Sequence, residues 1–289
     1  MSSIRIAIIG GGIAGTSLMY ALKKYSHLDV HIFESAAEFK EADMALGVAC
    51  STRVALELMG PEAEWFLERA GAVPMKSVRI MFAQGEAARK VADEINEEDQ
   101  WKHLMGVVHR AAFFQELLSH IPRCRMHASK KLQKIDRSDS ITLYFADGTT
   151  HECDILVGAD GIHSTVRKLV LGESDPAASP QRNGAWLLET HQPFNKARAS
   201  LGEKLVDMGN ICEYGWMGCN AFLTHNILGG GQLVRFAICS FAKEAKPSDR
   251  WQRKVGADEI RELFRDFPPR PKYAVNEVRR ILVSFRYHG

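Results

Sequence analysis

Glycines near the start of the chain are spaced as in a turn that holds a dinucleotide. The run Gly10-Gly11-Gly12-Ile13-Ala14-Gly15 directly follows the apolar stretch Ile4 to Ile9. In such a turn Gly10 permits the tight bend, Gly12 lets the backbone approach a pyrophosphate, and Gly15 lets a helix pack closely on the strand. The start of that helix offers N–H groups and a partial positive charge to the phosphates.

An acidic residue, Glu34, ends the next apolar strand, 24 positions after Gly10. An acid at about this spacing binds ribose hydroxyls. A glutamate here would repel a 2′-phosphate, so we predict that the tightly held nucleotide is FAD or NAD rather than NADP. The alternative is a chance glycine turn with Glu34 merely solvated. The order of strand, helix, strand and acid favours the nucleotide site.

A second strand, turn and helix pattern covers Asp154 to Arg167. Asp160 stands at the strand end, where it can hydrogen-bond a ribose or a phosphate-bound water. Gly161 allows a close approach of the backbone to a ligand. Ser164 is suited to cap the following helix, and Arg167 can reach anionic groups or fix the loop.

Together these segments resemble the group A FAD-dependent aromatic monooxygenases, and among them the salicylate-hydroxylase-like enzymes of fungal secondary metabolism. Asp160-Gly161 with Ser164 and Arg167 is similar to the family's Asp-Gly motif. Val108-His109-Arg110, with the helical stretch after it, resembles the family's His-Arg helix.

The resemblance assigns roles to individual residues. Gly10, Gly12 and Gly15 would face the FAD pyrophosphate, and Glu34 would hold the adenosine ribose. Arg110 would contact the flavin nucleotide; its alternative role is that of a surface residue on an amphipathic helix. Asp160 and Gly161 would lie by the FAD, and Asp160 would also serve NADPH, which has no separate domain in this family.

The resemblance also implies that a segment is missing. The family continues to a Gly-Asp-Ala-Ala-His segment that grips FAD, whereas this sequence stops at Gly289 without one. A C-terminally shortened member would fold poorly, bind FAD weakly, or have left redox chemistry. Two departures are similar in kind: Leu187 stands about where relatives carry an arginine, and Asn226 about where many carry a tyrosine. An anionic or phenolate substrate would lose two of its usual holders.

The implied activity is that of an oxidoreductase. NAD(P)H would reduce FAD, and the flavin would use O2 to hydroxylate an aromatic or polyketide- or terpenoid-like molecule. His225 is a candidate general acid or base, with a structural histidine as its alternative. Two other functions stay open: a non-redox cyclase, isomerase or dehydratase of natural-product biosynthesis on a decayed flavoprotein scaffold, and a non-catalytic remnant.

Composition narrows the partners and the compartment. The 289 residues are 46% hydrophobic and 25% charged, with a net charge of +2, which gives no case for nucleic acid. No apolar run approaches the ~18 residues of a membrane span. The six cysteines form no C-x-x-C pair and show no zinc spacing with histidines, so we predict a cytoplasmic protein with reduced thiols and no metal site.

These patterns predict an α/β fold with a Rossmann-like FAD-binding domain and an inserted antiparallel substrate-binding sheet. We expect the FAD/NAD(P)-binding domain over 1–75 and 101–181, lacking its last strand and helix. The substrate domain would cover 76–100 and 182–289, with strands near 185–190, 211–216, 221–228 and 232–241. We expect a loop over 84–100 and a last strand from Val275 to Phe285. A homodimer could cover the exposed C-terminal edge.

Overall fold

The computed structural model describes residues 3–96, 104–138, 140–181, 184–241 and 255–276. The chain divides into two compact units. The first comprises Met1–Asp43, Val54–Arg69 and Arg110–Gln181, and the second comprises Met44–Arg53, Ala70–His109 and Arg182–Gly289.

Both units combine strands with helices. The strands are β1 (Ile4–Ile9), β2 (Leu28–Phe33), β3 (Ala45–Ala49), β4 (Val73–Pro74), β5 (Ser77–Phe82), β6 (Val91–Ile95), β7 (Leu104–His109), β8 (Met126–His127), β9 (Leu132–Asp136), β10 (Ile141–Phe145), β11 (Thr150–Cys153), β12 (Ile155–Gly158), β13 (Ala185–Pro193), β14 (Cys212–Met217), β15 (Ala221–Leu228) and β16 (Leu233–Phe241). The helices are α1 (Ile13–Leu22), α2 (Cys50–Met59), α3 (Phe66–Arg69), α4 (Arg110–Ser119), α5 (Thr165–Leu171), α6 (Phe194–Leu201), α7 (Ala257–Leu263) and α8 (Pro269–Asn276).

A parallel sheet of order β12-β1-β2-β8 forms the centre of the first unit. Its middle strand β1 is an apolar run that is buried from Ile6 to Ile9, as expected of a strand covered on both faces. Ile6 pairs with Val30 of β2 on one side and with Ile155 of β12 on the other. One face packs with Met19 of α1, and the opposite face packs against a second sheet, β11-β10-β9. The predicted α/β fold with a parallel sheet is confirmed.

A six-stranded sheet of order β13-β16-β15-β14-β5-β6 forms the centre of the second unit. All of its neighbouring strands pair antiparallel except β14 and β5, which are parallel. The four strands predicted between 185 and 241 are present. Trp186 and Phe236 on one face share a buried core with Phe264 and Val275, which the chain places after the sheet.

A smaller antiparallel sheet, β3-β7-β4, also lies in the second unit. It joins three stretches that are distant in sequence: Val107 of β7 pairs with Gly47 of β3 and with Val73 of β4. For this reason residues 44–53 and 70–75 group with the second unit, which differs from the sequence-based boundaries at 75 and 101.

Two sequence-based expectations about elements were wrong. The segment 84–100 contains strand β6, where Ile95 pairs with Val78 of β5. This edge strand is largely exposed and acidic, so it lacks the alternation that identifies strands. Helix α8 begins at Pro269 and includes Val275, which we had assigned to a strand. Proline is tolerated in the first turn of a helix. Residues 277–285 of that predicted strand lie outside the described residues.

None of the helices within the described ranges combines the length and the apolar character needed to cross a bilayer.

Candidate functional site

The glycine turn links β1 to α1 in the first unit, and two of its glycines are required by close backbone packing. Gly10 has φ +109°, and a Cβ there would overlap the Ala159 carbonyl oxygen at the end of β12. A Cβ on Gly15 would overlap the carbonyl oxygen of Gly10. Gly12 is the N-cap of α1, so the cap residue has no side chain that could accept from the first N–H groups of the helix. The turn itself thus places only backbone at the helix start, which suits a phosphate-bearing ligand.

Glu34 lies at the end of β2, and its carboxylate faces the glycine turn. One carboxylate oxygen accepts a hydrogen bond from the backbone N–H of Gly11 at 2.7 Å, and the other accepts from Ala36 at 2.8 Å. The backbone N–H of Glu34 donates to the carbonyl of His127 at 2.8 Å, which ties this segment to β8. The predicted acid is therefore held against the predicted turn.

Glu41 is a residue of this region that our sequence analysis did not identify. Its Oε1 accepts from the N–H of Ile13 at 3.3 Å and lies 3.0 Å from the position of a Cβ on Gly12. A carboxylate thus stands at the positive end of α1. No local pattern signals this role, because Glu41 reaches the helix through a loop that folds back after β2.

Arg110 begins α4 and pairs with the same carboxylate. Its Nε lies 2.9 Å from Oε2 of Glu41, and the two side chains are only 19% and 6% exposed. This buried Nε has no well-aligned hydrogen bond within the described residues. Arg110 is thus partly buried and joined through Glu41 to the start of α1, unlike a solvated surface residue.

Asp160 and Gly161 form the turn between β12 and α5. The Asp160 carboxylate accepts from the backbone N–H groups of Thr165 at 2.7 Å and Val166 at 3.2 Å, and from the Ser164 hydroxyl. Ser164 in turn accepts from the N–H of Arg167 at 2.9 Å, so its predicted capping role is confirmed. Gly161 has φ +73° and open space where a Cβ would lie.

His225 lies on β15 in the interior of the second unit and is 1% exposed. Its Nδ1 accepts from the Trp216 indole N–H at 3.3 Å, and its Nε2 lies 3.2 Å from the Leu205 carbonyl oxygen, to which it donates in that tautomer. Burial lowers the pKa of His225 to about 4. With both ring nitrogens engaged and the ring buried, these contacts favour the structural alternative over acid–base chemistry.

A cluster of polar side chains occupies one face of the six-stranded sheet, and we call it the sheet-face cluster. It consists of Glu189 and His191 on β13, Glu213 on β14, Asn226 on β15 and Arg235 on β16. Sequence analysis singled out Asn226 only. Charged residues within otherwise apolar strands, such as Glu189 and Arg235, are the signal that could have identified the rest.

Glu189 and Arg235 form the centre of this cluster. Arg235 Nε donates to Glu189 Oε2 at 2.8 Å, while His191 Nε2 and the N–H of Ala45 contact Oε1. Burial alone would raise the pKa of Glu189, but its hydrogen bond with His191 and the charge of Arg235 hold that pKa below its ordinary value. Burial raises the pKa of Glu213.

Leu187, the other position at which we expected a departure from the family, lies on the same face of β13 as Glu189, two residues earlier.

Comparisons with known proteins agree with the motif-based resemblance. No family model matches the chain. It is 36% identical over 209 residues to the 6-methylsalicylate 1-monooxygenase atA of Aspergillus terreus, covering 69% of this chain and 47% of that protein. It is 29% identical over 293 residues to a salicylate hydroxylase of Pseudomonas putida, covering 90% of this chain and 61% of that protein. The chain thus spans about half to three fifths of the length of these relatives.

A solved structure of a salicylate hydroxylase substrate complex superposes with a TM-score of 0.75 at 21% identity, covering 98% of this chain and 67% of that one. At this level of identity the superposition establishes the shared fold. Together with the sequence relatives, it shows that the chain is a homologue of the salicylate-hydroxylase-like, FAD-dependent monooxygenases.

Proposed function

We propose that the chain is the nucleotide- and substrate-binding part of an FAD- and NAD(P)H-dependent monooxygenase that hydroxylates an aromatic or natural-product small molecule. One observation carries the proposal: Glu34 is hydrogen-bonded to the glycine turn at the end of two paired parallel strands. The relatives, a 6-methylsalicylate 1-monooxygenase and a salicylate hydroxylase, support an aromatic substrate.

The first unit has residues that fit a dinucleotide. Gly10 and Gly15 shape the turn, and Gly12 adds no side chain of its own at the start of α1. Glu34 is placed to accept from ribose hydroxyls, and the turn at Asp160 and Gly161 follows the neighbouring strand β12. Bound FAD would supply the redox chemistry, while the protein would bind, orient and exclude water.

Arg110 contributes through Glu41 in this proposal. A pyrophosphate at the start of α1 would compete with the Glu41 carboxylate for the same helix end. Movement of Glu41 would leave the Arg110 guanidinium without its partner and available to the nucleotide. This arrangement supports the role that we assigned to Arg110.

The domain roles and the cellular setting belong to the same proposal. The first unit would bind FAD and NAD(P)H, and the second unit would bind the substrate. None of the six cysteines forms a disulfide bond, which supports a reducing compartment such as the cytoplasm. A homodimer would cover the edge of β12, which pairs with no further strand in the part of the chain that the structure describes.

The visible spectrum of the purified protein tests this function, as isolated and after incubation with FAD and removal of free FAD. We expect a retained flavin absorbance and, with NADH or NADPH, oxidation that an aromatic substrate accelerates. Glu34→Gln should reduce FAD retention, while Glu38→Gln on the exposed loop should not. A colourless wild-type protein that rejects FAD would overturn the proposal and direct attention to the non-redox alternatives.

A further inference from the structure

The sheet-face cluster contains a buried hydrogen-bond donor, Asn226 Nδ2, that has no partner within the described residues, and a carboxylate, Glu213, beside it. The strand register places them side by side: Arg235 is opposite Asn226 on one neighbour and His191 on the other. Tyr214 pairs with His225, so the preceding residue, Glu213, lies beside Asn226. The four strands thus bring these side chains to one face.

The positive charge of the cluster is already matched. Arg235 Nε donates to Glu189 Oε2 at 2.8 Å, and the Glu189 side chain is only 2% exposed. Arg235 Nη1 makes longer contacts with Thr224 at 3.4 Å and with Asn226 Oδ1 at 3.5 Å. The charge of Arg235 is therefore partly compensated by that of Glu189 before any ligand binds.

The Asn226 amide beside this ion pair has a donor without a partner, and the Glu213 carboxylate lies near it without a close contact to Arg235. Asn226 is 1% exposed, and its Nδ2 has no hydrogen-bond partner within the described residues. The carboxylate of Glu213 comes no closer than 3.8 Å to Arg235 Nη1, which is beyond hydrogen-bonding distance. Buried polar groups without partners cost free energy and call for an explanation, such as a ligand that supplies the missing bonds.

We propose that Asn226 and Glu213 bind a hydroxyl group of a neutral hydroxyaromatic ligand: the Asn226 amide donates to the hydroxyl oxygen, and the hydroxyl donates to the Glu213 carboxylate. One hydroxyl satisfies both groups because it carries one donor and two acceptor positions. The proposal rests on the proposed function in one respect, that this ligand is the substrate.

The same arrangement selects against a carboxylate on the ligand. A second negative charge beside Glu213 would meet like-charge repulsion, and Arg235 is already engaged by Glu189. The preferred ligand therefore differs from the 6-methylsalicylate and salicylate of these relatives in lacking the acid group.

Isothermal titration of the full chain with 3-methylphenol, 1,3-dihydroxybenzene and 6-methylsalicylate tests this selectivity. For the wild type we expect the dissociation constants of the two phenols to be at least about tenfold lower than that of 6-methylsalicylate. Glu213→Gln should bind 6-methylsalicylate roughly tenfold more tightly than the wild type does, because the repulsive charge is removed. The difference in affinity between the phenols and 6-methylsalicylate should therefore become smaller or reverse. Asn226→Leu should weaken phenol binding by about tenfold while the fold is retained, since an apolar group of similar size replaces an amide whose Nδ2 has no partner and whose Oδ1 makes only a 3.5 Å contact with Arg235.

Glu203→Gln is the matched control, since this 81% exposed glutamate of the same unit removes an equal charge away from the cluster. Tighter binding of 6-methylsalicylate to the wild type, no binding of either phenol, or unchanged selectivity in Glu213→Gln would each overturn the inference. Flavin absorbance of the same samples reports separately on the proposed function: selectivity for phenols in a protein that rejects FAD would uphold the ligand site and reject the redox activity.

Discussion

At the scale of single residues, the glycine turn shows how little freedom the backbone leaves at some positions. Gly10 and Gly15 are held in mutual contact, and Gly10 also contacts the end of β12. Side chains at these two positions would force β1, α1 and β12 away from one another. The requirement for glycine is therefore steric here, before any ligand is considered.

We predict that Gly15→Ala destabilises the protein by about 1–3 kcal/mol and abolishes FAD retention, because its methyl group would overlap the Gly10 carbonyl oxygen. Urea unfolding and the flavin spectrum measure the two effects. Gly256→Ala is the control: nothing lies within 4 Å of a Cβ there, and the substitution should cost less than about 1 kcal/mol. Equal stability of the two variants would contradict the prediction.

His225 gives the protein a pH-dependent stability. Its pKa is lowered by burial to about 4 in the folded state, against an ordinary value of 6.5. Between pH 6.5 and about pH 4 the His225 side chain is therefore protonated in the unfolded chain but not in the folded one. Its contribution to the free energy of unfolding is complete above pH 6.5 and is lost as the pH falls toward 4. The expected slope is about 1.4 kcal/mol per pH unit for this one group.

Unfolding free energies between pH 7.5 and pH 5 measure that slope. We expect His225→Leu to be less stable than the wild type at pH 7.5, since the Trp216 indole N–H loses its acceptor. Below pH 6.5 the unfolding free energy of the variant should fall less steeply with decreasing pH, by the slope that corresponds to one proton. Other histidines with lowered pKa values, His127 and His151, keep part of the slope in both proteins. An identical slope for variant and wild type would disprove the assignment to His225.

At the scale of elements, α5 depends on the turn before it. The Asp160 carboxylate accepts from two backbone N–H groups of the first helical turn, and Ser164 accepts from a third. These groups would otherwise be unpaired, and a negative charge at this end of a helix is favourable. Asp160 therefore has a structural role, whatever it also contributes to a nucleotide.

We predict that Asp160→Ala lowers the unfolding free energy by about 1–2 kcal/mol, and that Asp160→Asn, which keeps an acceptor, costs less. Thermal or denaturant unfolding without FAD measures this structural effect alone. If FAD affinity falls in Asp160→Asn while stability stays near that of the wild type, the carboxylate also serves the cofactor. Unchanged stability in Asp160→Ala would show that the cap contributes nothing.

At the scale of the whole molecule, the parallel sheet of the first unit has a free edge. Strand β12 is an edge strand within the described residues, and its Ile155 is 45% exposed. The following helix α5 exposes Val170 and Leu171. Unpaired edges flanked by apolar side chains promote association between chains.

We predict that the protein forms a dimer through this edge. Light scattering coupled to size-exclusion chromatography should give the mass of two chains for the wild type and of one chain for Ile155→Lys, since a charge on an edge strand opposes pairing. Leu58→Lys, at a more exposed apolar residue on α2, should leave the mass unchanged. A monomeric wild type would rule out the dimer.

Features that depend only on residues close together in the sequence were predictable. The strand, glycine turn, helix and Glu34 follow one another within 31 residues, from Ile4 to Glu34, and both the period of apolar residues and the turn residues are local signals. The antiparallel strands after residue 184 were found for the same reason. A helix cap such as Ser164 also depends only on its neighbours.

Only the tertiary structure decided which distant residues meet. Glu41 pairs with Arg110, which lies 69 positions later in the sequence. Strands β3 and β4 are joined in one sheet through β7. The exposed segment β6 forms a strand because it pairs with β5. From the sequence, His225 was a candidate general acid or base. In the structure its ring is buried and both ring nitrogens make contacts, which favours a structural role. The sheet-face cluster arises because strand register, which no single stretch encodes, brings Glu189, Glu213, Asn226 and Arg235 to one face.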